Sequence, residues 1–460
     1  MDTDVRQLDA ESTPERARFI NPNFQRLWLA SALSGLGDSI FELTLTVWIA
    51  SKLADGKDWS ALAVTGLLVA SSIPILLVGP IAGALVDRWP DKRRVMQRAD
   101  LISAALLLLL IPAAGVVKIP GLGHFPLWWR LAAIYVVVLL ASVVAQFFRP
   151  SSWVMMRDVV PDEDRPRSSS YMQATRNAIM LIGPSLAPPL LFAVGAGPAL
   201  LFNALTFTGS FFLVRAMRYE QPLHEAKEPS TPRTVLRDMG DGLRFFRNSQ
   251  PLMVLAISFG IAMLGIGVMN TLDIFFVRDN LNTSAKYYGI LIGVQSATMI
   301  GASLVWGRIM EKIGIARSMW IGMFCTSFSI FVYARMTSFE WALVLCALIG
   351  LFVPAINVAI GPILYRSTPR EFMGRVSATL DPIISGSMLI GTMIGGVIYT
   401  AFMRNFNHTI AGIHFGPLDT LFLGVAVMMV VGAIYSLRLR VPDAEPETVK
   451  SPEPTGAVSQ

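Results

Sequence analysis

The sequence predicts an all-α membrane protein with about twelve transmembrane helices, arranged as two six-helix, pseudo-symmetric bundles. Three observations predict it. The apolar residues come in long blocks nearly free of charge, the bases crowd into alternate loops, and the second half of the chain repeats motifs of the first in the same register.

The blocks come first. Of 460 residues, 53% are hydrophobic and only 15% are charged, against roughly 25% charged in an average soluble domain. Mean hydropathy is +0.54, more apolar surface than a soluble core can hide. Leu101 to Val117, Leu131 to Phe148 and Leu343 to Leu364 show no polar face, and a helix of that length reaches across most of a hydrocarbon layer ~30 Å thick. Taken in order, the blocks give spans at Leu27–Ser51, Ala61–Val86, Val95–Val117, Trp128–Phe148, Tyr171–Val194 and Pro198–Met217. The second half gives Pro251–Val277, Tyr288–Gly307, Ser318–Ala334, Trp341–Leu364, Ala378–Phe402 and Leu418–Leu437.

The organisation follows: a cytoplasmic segment 1–26, a six-helix bundle 27–217, a cytoplasmic linker 218–250, a second bundle 251–440 and a disordered tail 441–460. The N-terminus has no apolar run followed by a small-residue cleavage site, so it is not a signal peptide. Within the linker, Val235, Leu236, Met239, Leu243 and Phe246 fall at helical spacing, which predicts an amphipathic helix from Pro232 to Asn248 on the membrane surface.

With the N-terminus inside, most Lys and Arg fall in inner segments, such as Lys92, Arg93 and Arg94, or Arg366, Arg370 and Arg375. The outer connections carry scattered bases such as Lys118, Arg335 and Arg404. This is the bias that orients membrane proteins, and it puts both termini in the cytoplasm. The repeat fits the same frame. Pro161, Arg167 and Met180-Leu181-Ile182-Gly183 recur as Pro369, Arg375 and Met388-Leu389-Ile390-Gly391 without a gap. Repeats of this kind imply two bundles with a site between them near the bilayer midplane. Three GxxxG pairs, Gly79 with Gly83, Gly289 with Gly293 and Gly391 with Gly395, mark close helix contacts that are either static or moving.

Ionisable groups inside spans are costly and need a reason. Asp38 and Glu42 lie one turn apart on the first span, with Asp38 about 16 Å from the span's start at 1.5 Å per residue. Both should face an aqueous cavity or a partner. They are the candidate group that couples protons to substrate, since protonation discharges the cavity and eases reorientation. The alternative is a fixed ion pair with Arg176 or Arg149. Asp273 on the seventh span is a further candidate, and Arg176 lies near the inner end of the fifth.

After the second span stands Gly83-Ala84-Leu85-Val86-Asp87-Arg88-Trp89-Pro90-Asp91-Lys92-Arg93-Arg94. It resembles the loop signature of the major facilitator superfamily, departing from it at Pro90, where that family usually has Gly. The continuation Val95-Met96 to Ala99-Asp100, the opening Asn21-Pro22-Asn23-Phe24-Gln25-Arg26-Leu27-Trp28 and Gly37-Asp38 are similar to a drug-exporting branch that includes macrolide and siderophore exporters. The resemblance covers roughly residues 20 to 440 and implies the major facilitator fold. It also implies a conformational latch at the inner end, carried by Gly83, Asp87 and Arg88 with Lys92 and Arg93 of the same loop. Asp381 either caps the eleventh helix or pairs with an inner base. The plainer reading of this loop is a basic segment that only sets topology. Gly183-Pro184 is similar to the antiporter signature of exporters in this family, although Ala187 stands where a Gly is usual, and it leans toward export.

Several classes are excluded. No GxxxxGK[ST] phosphate loop occurs and no nucleophile–base set is visible, so neither an ATP-driven pump nor an enzyme is expected. Cys325 and Cys346 fall in apolar blocks and make no disulfide framework, and His124, His224, His408 and His414 have no metal-ligand spacing. Nucleic acid is not a partner, because the net charge of +6 is spread over short loops. The expectation is a monomeric transporter in the plasma membrane without a cofactor, driven by protons and exporting small amphipathic compounds. A lysophospholipid-type flippase and a metabolite uniporter or importer remain as alternatives.

Overall fold

Asn21 sets the first helix: its side chain accepts from the Phe24 N–H at 2.7 Å, and Pro22 occupies the position where a missing N–H costs nothing. In this computed structural model the helix, α1, runs Pro22–Trp48 and continues into a π-helical turn, Ile49–Leu53. The structure describes residues 20–115, 125–218, 244–369, 373–403, 406–410 and 413–440. Segment 1–19, most of the expected amphipathic linker helix and the tail 441–460 lie outside these residues.

The first half continues with α2 (Ser60–Leu77), α3 (Gly79–Arg88), α4 (Lys92–Ala113), α5 (Leu127–Val159), α6 (Arg165–Val194) and α7 (Ala196–Arg215). The second half holds α8 (Gln250–Phe275), α9 (Tyr288–Ile313), α10 (Ile315–Tyr333), α11 (Phe339–Ser367), α12 (Met373–Ile398) and α13 (Pro417–Ser436). A two-stranded hairpin, His408–Ile410 with Ile413–Phe415, joins the last two. Two features depart from the expected spans. The second span is broken into α2 and α3 at Val78, because Pro80 has no N–H to continue the helical ladder and starts a new helix instead. The helices α5, α6 and α9 run past the apolar blocks, since helical hydrogen bonding continues into polar turns that hydropathy does not register.

Among the described residues eleven helices are long and apolar enough to cross a membrane. The remaining long helix, α1, has 27 residues and so reaches about 40 Å, but Arg26, Asp38 and Glu42 lower its hydropathy. Large apolar side chains such as Leu109, Trp128, Leu205, Phe212, Leu304 and Trp341 are exposed. Water would not tolerate such a girdle on a soluble protein, and lipid does.

The packing repeats with the sequence. In the first half α1 packs on α6 and α7, α4 on α5 and α7, and α2 on α5. In the second half α8 packs on α12 and α13, α10 on α11 and α13, and α9 on α11, which is the same scheme one repeat later. The first and seventh spans even end alike, each in a five-residue π-helical turn.

Small residues let these pairs approach. A Cβ on Gly267 of α8 would fall onto the Met388 carbonyl of α12, and one on Gly391 onto the Leu264 carbonyl. A Cβ on Gly395 would stand 3.0 Å from Val268 Cα. The backbones of α8 and α12 therefore touch, which is how membrane helices gain dispersion energy where lipid already satisfies apolar surface. Gly391→Ala is expected to cost roughly 1–3 kcal/mol or to block folding, read as a fall in apparent Tm in detergent. Gly386→Ala, whose methyl meets nothing within 4 Å on the same helix, should stay within about 0.5 kcal/mol. Equal stability of the two variants would refute the backbone contact.

Candidate functional site

Asp38 and Glu42 project from α1 into the interior of the bundle. Both are surrounded by protein, yet both side chains remain accessible to water. Acids facing a water-filled space between helices would show that combination. The Ser71 hydroxyl of α2 donates to Glu42 Oε1 at 2.9 Å, and the charge of Glu42 acts on Asp38. Among the described residues no base stands within 4 Å of either acid. Arg176 is exposed on α6 and makes no ion pair with them. Two carboxylates one turn apart without a counter-ion form a site that a proton or a cationic substrate can occupy, and that strongly resists both groups being charged at once.

Asp273 is not part of this pair. It lies about one turn nearer to the π-helical turn of α8 than Glu42 does to that of α1. Its Oδ1 accepts from the Tyr333 hydroxyl of α10 at 2.9 Å. Tyr333 is itself fixed between aromatic rings, 4.8 Å from Phe276 and 6.1 Å from Phe422 by centroid. The second half thus holds its own carboxylate in an aromatic cluster.

The two halves meet at the end that carries the α1–α2 loop. Arg278 Nη1 pairs with Asp55 Oδ1 at 3.0 Å across the halves and lies 3.5 Å from the Ala50 carbonyl. Asp279 holds the same guanidinium at 2.6 Å. Next to this pair α6 meets α9: a Cβ on Gly289 would stand 2.9 Å from Pro189 Cδ, and one on Gly293 3.6 Å from Ser185 Cβ. Likewise α12 meets α2, where Gly396 faces the Thr65 hydroxyl with no room for a methyl. Gly183, followed by Pro184 within α6, packs instead inside its own half, against Ser39 of α1.

At the opposite end the expected latch residues are spread out. The side chains of Asp87, Arg88 and Asp381 lie outside the described set. Lys92 is buried and donates to the carbonyls of Val86 and Trp89, and Arg93 donates to those of Val214, at 3.2 Å, and Arg215. These bases close the carbonyl ends of α3 and α7, where a cation is favoured. A Cβ on Gly83 would meet nothing within 4 Å, and one on Gly79 would stand 3.4 Å from Gln146 Oε1.

Two residues carry more than their sequence context suggests. Asp100 is 1% exposed in the middle of α4; a carboxylate inside a predicted span was the available signal. Arg278 was one more base in a short loop, and only the fold shows that it faces Asp55.

The comparisons fit this architecture. The sequence profile of the Major Facilitator Superfamily matches residues 27–380 and 256–459. The chain belongs to that superfamily. It is a multi-pass membrane transporter for a small-molecule substrate, and not an enzyme. It is 24% identical over 378 residues to macrolide efflux protein A of Streptococcus pyogenes, covering 81% of this chain and 88% of that one. It is 22% identical over 396 residues to the multidrug efflux pump Tap of Mycolicibacterium fortuitum, covering 83% and 88%. Among solved structures, a bacterial homologue of the iron transporter ferroportin in its inward-facing state overlays with a TM-score of 0.68 at 15% identity, covering 91% of this chain and 100% of that one. The outward-facing form of that homologue overlays at 0.58, with 15% identity and coverages of 91% and 98%.

The cross-half ion pair has a measurable consequence. An exposed pair contributes roughly 0.2–1 kcal/mol, so Asp55→Asn should shift the population open at this end by up to about fivefold. Distances between spin labels on the α1–α2 and α8–α9 loops report it. High salt should produce the same shift in the unmodified chain and little further change in the variant. An unaltered distance distribution in Asp55→Asn would remove the pair from the closure.

Proposed function

We propose that this transporter exports small amphipathic compounds in exchange for protons, by alternating access of one central cavity. The observation that carries the reading is the Asp38–Glu42 pair, two water-accessible acids inside the bundle with no base within 4 Å among the described residues. A proton entering the cavity discharges the pair and lowers the cost of turning the site across the bilayer. A cationic amphipath competes for the same acids, so proton and substrate exclude one another, which is what exchange requires. The macrolide and multidrug efflux proteins among its relatives favour export of this substrate class.

With both termini cytoplasmic, as the placement of bases favours, the Asp55 end is the outer one. The halves then touch on the outside, and the cavity holding Asp38 and Glu42 opens inward, ready to load from the cytoplasm. Release requires the Arg278–Asp55 contact and the α6–α9 and α2–α12 contacts to part while the Lys92 end closes. The expected setting is the plasma membrane, where a proton gradient drives the cycle without a cofactor.

The test is proton movement in liposomes. The purified chain is reconstituted with a pH gradient, and internal pH is followed while macrolides and other cationic or neutral amphipaths are added. Substrate-dependent proton flux is expected in the unmodified chain and is lost in Glu42→Gln, in Asp38→Asn or in both, with insertion unchanged. Substrate flux with no proton movement in the unmodified chain would sink the exchange reading in favour of a uniporter or a lipid flippase.

A further inference from the structure

We propose that Asp100 is a second proton-carrying group, lying behind Asp38 and exchanging its proton with it. This deepens the proton-coupled reading and rests on it for its purpose, though not for its test.

The argument starts from a carboxyl group in a dry place. Asp100 is 1% exposed and Ser210 of α7 is 0% exposed. The Ser210 hydroxyl donates to Asp100 Oδ2 at 2.7 Å. The other oxygen, Oδ1, is buried with no hydrogen-bond partner among the described residues. An ionised carboxylate so placed would lose its hydration and gain a single hydroxyl in return, which is far from enough to offset the desolvation of a charge. A protonated acid fits the same place well. Its proton sits on Oδ1, and Oδ2 keeps the hydrogen bond from Ser210.

Among the described residues no cation offers another way to neutralise it. Among the described residues, the charged groups on the helices packed around Asp100 are Arg26, Asp38 and Glu42 of α1, Arg130, Arg149, Arg157 and Asp158 of α5, and Arg215 of α7. On α4 itself they are Lys92, Arg93, Arg94 and Arg98. None forms an ion pair with Asp100. Arg93 is spent on the carbonyl end of α7, and Arg94 pairs with Asp91 at 2.8 Å. Glu42, Asp38 and Asp100 are the acids to be connected, the first two one turn apart on α1.

A path between the last two is built into α7. Asn203, Thr206 and Ser210 fall at helical spacing on one buried face of that helix. Asn203 and Thr206 press on α1 at Gly37, the neighbour of Asp38, where any Cβ would collide with both side chains. Ser210 continues the same face to Asp100. The Asn203 Nδ2 group is buried without a partner among the described residues, so the seam keeps an open donor beside α1 and an open acceptor on α4. Asn203 and Ser210 stand about 10 Å apart along α7 at 1.5 Å per residue, so the proposed transfer runs through internal water along this seam. A proton taken up from the cavity at Asp38 can be passed to Asp100 Oδ1 and returned, which leaves Asp38 free to meet a substrate.

Infrared spectroscopy of the full chain in lipid nanodiscs tests this without any substrate. The unmodified protein should show the carbonyl band of a protonated carboxyl near neutral pH, shifting on exchange into deuterium oxide. Asp100→Asn should lose that band. Ser210→Ala should keep it but move it to higher frequency, because the carbonyl loses its hydrogen bond; this variant keeps the test usable should Asp100→Asn fold poorly. Asp38→Asn should displace the pH at which the band disappears. A band unchanged in Asp100→Asn, or unmoved in both Ser210→Ala and Asp38→Asn, overturns the proposal. Absent proton flux in liposomes with the band assigned to Asp100 would overturn the coupling reading and leave this site standing.

Discussion

The hydrocarbon layer offers no hydrogen-bond partner, and the rest of this structure follows from that constraint. Backbone groups must be satisfied within each segment, so every span is a helix, and breaks such as the one at Val78 stay short. Charge must be paired, made neutral or turned toward water. Pairing and exposure both occur, and a third device joins them: Arg335 pairs with Asp419 at 2.7 Å, Asp38 and Glu42 stay accessible to water, and Lys92 and Arg93 are set against the carbonyls of helix ends. The acids in the bundle are expensive to hold there.

Without a hydrophobic drive between helices in lipid, close backbone contact carries the association. The backbone-on-backbone contacts of α8 and α12 at Gly267 and Gly391 lie within one half, where the carbonyls of the neighbouring helix leave no room for a methyl. The contacts between halves include an ion pair at 3.0 Å and side-chain contacts around Gly289, Gly293 and Gly396, gathered at one end. Rigid halves joined by a lighter contact are the arrangement that rocking requires, since a change of state breaks little more than that contact. The acids of α1 sit on the rigid side of this division, so their protonation can bias the rocking without unmaking the bundle.

Sequence and structure divide the information along physical lines. Hydropathy, the placement of bases and the echo of Met180-Leu181-Ile182-Gly183 in Met388-Leu389-Ile390-Gly391 sufficed for an all-α membrane protein of two related halves, because each is a property of one segment against a uniform solvent, while the Gly83–Arg94 loop carried the resemblance to the family. The same reasoning picked out Asp38 and Glu42, whose spacing alone puts them on one helix face. Helix ends were less legible, because hydrogen bonding rather than hydropathy decides where α5 and α6 stop.

What lies between helices was decided by tertiary structure alone. That Arg278 meets Asp55, that Asp273 takes a hydrogen bond from Tyr333, and that Asp100 takes one from Ser210 depend on which faces of distant segments are brought together. The sequence by itself determined that these charges are inside the membrane and must be costly. Only the fold decided which are paired, which are wet and which are sealed away, because the free energy of a buried charge is set by its few nearest neighbours, and those come from helices far apart in the chain.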